Sequence, residues 1–94
     1  MTIDYEKLGR YYAAHEQATV LRDERGKLLA TIQSEIARVT NLDRHSFAAT
    51  LDITSLQATL RQLTDVEGRF VQAIAECNRY ADELGRDKLW IEQA

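Results

Sequence analysis

Residues 21–29 read Leu21-Arg22-Asp23-Glu24-Arg25-Gly26-Lys27-Leu28-Leu29, or LRDERGKLL, five charges and a glycine set between leucines. Read as a turn, this stretch divides the first half of the chain into two short helices. Read as helix, it leaves one rod of nearly forty residues. Apolar spacing decides between them. Leu21 and Leu28 are one heptad apart and Ala18 and Ile32 are two heptads apart, so the register does not slip across the charges. A helix-interior glycine costs only about 1 kcal/mol relative to alanine. Asp23 and Lys27 form an i,i+4 pair in the favourable order. The stretch is therefore expected to be continuous helix.

Outward from it, Tyr11, Ala18, Arg25, Ile32 and Val39 occupy the a positions of a heptad. Ala14, Leu21, Leu28, Glu35 and Leu42 occupy the d positions, and Leu8, His15, Arg22, Leu29 and Ile36 form a flanking column. The second half repeats the pattern. Ile53, Leu60, Glu67, Ile74, Ala81 and Lys88 are at a, and Leu56, Leu63, Phe70, Cys77, Leu84 and Ile91 are at d. Val66, Ala73 and Tyr80 flank them. A stripe three columns wide suits a helix packed in a bundle more than a two-stranded zipper.

Composition agrees: four glycines, no proline, 45% hydrophobic and 29% charged residues, rich in strong helix formers. The expected fold is all-α, an antiparallel two-helix hairpin with helices over ~3–40 and ~53–92, forming a single domain over residues 1–94. The connecting segment is 41–52, with Asn41 at the end of the first helix. Asp52 or Thr54 is expected to cap the second helix, and Thr54-Ser55-Leu56-Gln57 has capping-box spacing. Phe47 and Leu51 fall off the second stripe, and Phe47 is expected to plug the end of the bundle.

Folding the chain about residues 46–47 makes helices roughly 55 Å long run antiparallel. It pairs misfit with misfit: Arg25 with Glu67, Asp4 with Lys88, Gly26 with Gly68, and Gly9 with Gly85. Arg25 and Glu67, with Arg22 joining, make a candidate polar layer that sets the register. A lone hairpin cannot cover three columns on each helix. Leu29, Ile36, Val66 and Tyr80 are therefore expected to face a second copy, completing a four-helix bundle. Tyr11, Tyr12 and Trp90 gather where the termini meet and add candidate contact area, as large rigid rings with polar tips.

Chemistry has little to build on. Cys77 lies opposite His15 in this register, which could make a thiolate–imidazolium pair, but a d-position cysteine reads more simply as a small buried hydrophobe. One cysteine forms no internal disulfide. No catalytic, cofactor-binding or metal-binding residues are expected, and no enzyme. A net charge of −3 gives no footprint for nucleic acid, and Arg79 and Arg86 share their face with Asp82, Glu83 and Asp87. No apolar run reaches the ~20 residues that span a bilayer, and the opening residues lack a signal peptide's apolar core, so a cytoplasmic location is expected.

The expected function is that of a non-enzymatic protein–protein interaction module acting as a homodimer. The alternatives are a small inhibitor or adaptor, of the kind phages and mobile elements carry, docking onto a larger protein assembly, and a nucleic-acid-associated regulator working through the Arg79/Arg86 face.

Overall fold

Helical periodicity maintained through the charged stretch produces one long first helix. The computed structural model describes residues 4–92: α1 runs Tyr5–Asp43 and α2 runs Ile53–Leu84, with no strand among the described residues. The expected start at Ile3 lies outside the described residues. Asp4 is the N-cap of α1, its side chain accepting from the Lys7 amide at 3.1 Å, which satisfies one of the amides a helix start leaves free. Residues 21–29 are helical throughout. At Gly26 and Gly68 an added Cβ would meet nothing within 4 Å. The two glycines are therefore not a close-approach point between the helices, contrary to their expected pairing.

The helices pack antiparallel into a rod of 70 × 20 × 19 Å. Asp52 is the cap of α2, accepting from the Ser55 amide at 3.1 Å. Thr54 already lies inside the helix, so the capping-box reading fails and the earlier acid takes the role. The connection is shorter than expected, residues 44–52, because α1 continues three residues past Thr40.

The main departure is at the far end of α2. The helix was expected to reach ~92 and instead stops at Leu84, where Gly85 takes φ +67° and its amide donates back to Ala81. That backbone is open to glycine at little cost and strained for other L-residues. Residues 85–92 then leave the helix and run back over the hairpin. Asn78 holds them with both ends of its amide: Nδ2 donates to the Leu89 carbonyl at 2.9 Å, and Oδ1 accepts the Leu89 amide at 2.7 Å. The Tyr11 hydroxyl donates to the Asp87 carbonyl at 3.3 Å. Lys88, expected opposite Asp4, pairs with Asp82 at 2.7 Å. Gly85 marks the end of α2 and is not a helical partner of Gly9.

This strap decides where the core lies. One buried cluster contains Tyr11, Ala14, Cys77, Tyr80 and Ala81, and the other contains Ala18, Leu21, Val66, Ala73 and Ile74. Leu89 packs on both, and Ile91 packs on the second. Both clusters lie in the half of the rod nearest the termini, hereafter the proximal half. In the distal half the seam has no third element, and Ile36, Leu42, Leu51, Ile53 and Leu60 stay exposed.

Leu21 is 1% exposed in a cluster with Ala18, Val66, Ala73 and Ile74. Leu21→Ala should therefore lower unfolding free energy by about 2–5 kcal/mol, read from urea denaturation followed by helical circular dichroism.

Candidate protein-interaction surface

The polar layer at mid-rod has a definite geometry. Arg25 Nε donates to Glu67 Oε2 at 2.6 Å, and the guanidinium lies 5.6 Å from the centre of the Phe70 ring. The two side chains are 37% and 45% exposed, so they bridge the seam at its wet edge and do not sit in a dry core. Such a pair is worth only about 0.2–1 kcal/mol, with a further contribution from the aromatic face. Arg22 stays exposed and does not join it, and Asp4 and Lys88 are engaged elsewhere, as described above.

Arg25 and Glu67 also divide one groove into two. On the proximal side Leu89 and Ile91 of the strap pack on the core, and a depression of about 530 Å³ remains between the strap and His15, Ala18 and Arg22. Trp90, between Leu89 and Ile91, stands 95% exposed. A second depression, of about 650 Å³, extends from Leu29, Leu60 and Leu63 on the distal side past Arg25 and Glu67 to Gly68 and Val71.

The expected interface residues fall into three groups. Val66, Tyr80 and Tyr11 are buried within the single chain and so present no contact surface. The antiparallel seam covers Val66 and Tyr80, and the strap covers Tyr11. Leu29 is half-buried at the distal groove, while Ile36, Tyr12 and Trp90 are exposed.

The aromatic end is tied together by arginines. The Tyr80 hydroxyl accepts from Arg10 at 3.4 Å and from Arg79 at 2.8 Å. These cationic donors, Arg10 foremost, hold the phenol below its ordinary pKa. Arg79 lies 4.7 Å from the Tyr80 ring centre, and Arg86 lies over Tyr11 and Tyr12 while donating to the Tyr12 hydroxyl at 3.1 Å. The two arginines of the suggested nucleic-acid face are thus both engaged with tyrosines. Cys77 is fully buried, and burial pushes its thiol pKa up, away from a nucleophilic thiolate. His15 is exposed and tilts towards the Tyr11 ring. Among the described residues, no cluster of three His, Cys, Asp or Glu side chains could hold a metal ion, and no helix is long and apolar enough to cross a membrane.

At the opposite tip the structure overturns one expectation. Phe47 plugs nothing: its relative exposure is 103%. Hydrogen bonds close this end instead. Arg38 donates to both oxygens of Glu35 and to the Thr50 carbonyl at 2.9 Å, Glu35 accepts the Asp52 amide at 2.7 Å, and Asp43 accepts the Ala49 amide at 2.6 Å. Phe47 is carried outward on a pinned loop. Its mismatch with the heptad was the available signal, and it fits an outward position as well as a plug.

Two measurements test these networks. Reversing one charge, Arg25→Glu or Glu67→Arg, should destabilise the hairpin, and the double reversal should recover most of the loss. A double-mutant cycle should yield a coupling of about 0.2–1 kcal/mol; strict additivity would contradict the pairing. The Arg38 hydrogen bonds, and then the Asp52 amide, hold the Glu35 carboxyl at about 2, below its ordinary value of 4.5. Its contribution is therefore fully present above pH 4.5 and is lost as the pH falls towards 2. The exchange protection factor of the Asp52 amide should drop across that window, and Glu35→Gln should remove the pH dependence.

No protein-family model, curated protein or solved structure matches the chain.

Proposed function

We propose that this chain is a non-enzymatic protein–protein interaction module whose hairpin associates with a second copy into a four-helix bundle. The observation that carries the reading is the open distal groove. Leu29, Leu60, Leu63 and Val71 line a continuous apolar depression on a rod only 20 Å thick, and Ile36 stands exposed beyond it. An apolar face left open by a small two-helix fold is most readily covered by an identical face across a two-fold axis. The full burial of Cys77, which raises its thiol pKa, supports a role in contact over one in catalysis. A cytoplasmic setting suits a chain whose single cysteine is free and buried.

Phe47 favours a second reading, that of an adaptor or inhibitor inserting its tip into a larger assembly. An exposed aromatic on a hydrogen-bonded loop loses little conformational entropy on docking.

Light scattering separates the two. The first reading expects about twice the 10.8 kDa chain mass at micromolar concentration, with Leu60→Glu returning the chain to a monomer and Phe47→Ser leaving the dimer intact. The opposite response would move self-association to the tip, and a monomer throughout would overturn the dimer.

A further inference from the structure

Residues 85–92 satisfy two patterns at once. In the structure they form the strap, and of its side chains only Leu89 and Ile91 are shielded from solvent, both in part. In sequence they continue α2. Ile74, Ala81 and Lys88 stay at a, Cys77, Leu84 and Ile91 stay at d, and no proline forbids further turns. Adding residues to an existing helix is nearly neutral in free energy, so the strap competes with a continuation that costs little. Two features tip the balance towards the strap. Lys7 pairs with Glu83 across the seam at 3.3 Å, which sets Tyr5, the first residue of α1, level with Gly85. Further turns of α2 would run past Tyr5. Gly85, at φ +67°, turns the chain out of the helix, and a Cβ there would meet nothing within 4 Å. Its lack of a side chain therefore serves the backbone alone.

We propose that residues 85–92 are a conformational switch hinged at Gly85. In one state they dock on the seam as the strap; in the other they continue α2 for about two further turns. The docked state is held by few polar contacts. They are the two bonds between the Asn78 amide and Leu89, the Tyr11 hydroxyl on the Asp87 carbonyl, and the Lys88–Asp82 pair at the surface. A depression of about 530 Å³ remains between the strap and α1. In the helical state the backbone groups of residues 85–92 turn to partners within the helix, and the Asn78 amide is released to water. Leu89 then leaves both core clusters and Ile91 leaves the second, which uncovers the apolar seam around Ala18 and Ile74. The strap is thus an autoinhibitory contact: it covers within the chain a surface that the longer helix exposes.

Substitutions at Gly85 separate the two states, because space admits a side chain there and only the backbone discriminates. Alanine disfavours positive φ and favours helix, so Gly85→Ala should move the ratio of helix to strap by at least about tenfold. Asparagine accepts positive φ, so Gly85→Asn should keep the strap. Asn78→Ala removes the anchor, and Gly85→Ala with Asn78→Ala should hold residues 86–91 in the helical state. Neither position belongs to a core cluster, so the hairpin stays folded. The readout is the Cα chemical shift of residues 86–91, with helical circular dichroism gaining about two turns in the double variant. In the unmodified chain, relaxation dispersion at the same nuclei should reveal exchange with a minor state whose shifts match the double variant. Coil-like or strap-like shifts in the double variant overturn the switch. So does an unmodified chain with no such minor state, and so do Gly85→Ala and Gly85→Asn behaving alike.

Discussion

Two packed helices bury one seam and leave a groove open on each side of it, and a chain of this size has little other surface with which to close them. In the proximal half of this rod the closure depends on the Asn78 amide, which bonds both backbone groups of Leu89. A strap outside helix or sheet does not satisfy its own amides and carbonyls, and an unpaired polar group against an apolar seam costs about as much as the burial of one leucine returns. By taking the donor and the acceptor of one residue together, Asn78 lets Leu89 and Ile91 settle on both core clusters. Gly85 makes this possible by turning the chain out of α2 through a backbone conformation that other residues resist.

The two halves of the rod differ as a consequence. The half under the strap has a buried core that includes Leu21, Cys77 and Ala81. The other half is a bare helical pair, its seam open and its tip held by hydrogen bonds that Arg38 donates and that Glu35 and Asp43 accept. The Arg25–Glu67 pair marks the boundary between them. At the edge of the seam its energy is modest, and its two side chains line the depressions on both sides of it. The rod thus presents both an exposed tryptophan and a depression lined by leucines.

Much of the architecture was legible in the residues. An unbroken heptad through LRDERGKLL meant one helix, and the two stripes meant an antiparallel hairpin, because apolar periodicity follows directly from helix geometry. Helix ends were less legible. Asp52 and Thr54 were both acceptable caps, and geometry chose the acid. Lys88 at an a position and the glycine at 85 were read as a register match with Asp4 and Gly9, yet together they mark where the helix stops. Phe47, off the heptad, pointed equally to a plug or to an exposed tip. Val66 and Tyr80 were assigned to an interface because two columns suffice for a seam. In the structure the seam itself buries both, and Arg10 and Arg79 take the Tyr80 hydroxyl.

What the sequence determined by itself was therefore local and periodic: helix, face and the direction of the return. These follow from side-chain spacing and need no knowledge of distant residues. Only the tertiary structure decided which face remains open, because that depends on eight residues leaving a helix and crossing to another part of the chain. Their anchor, one asparagine facing the backbone of a residue eleven positions later, has no periodic signature. Its polar side chain reads as solvated surface until the strap is laid against it.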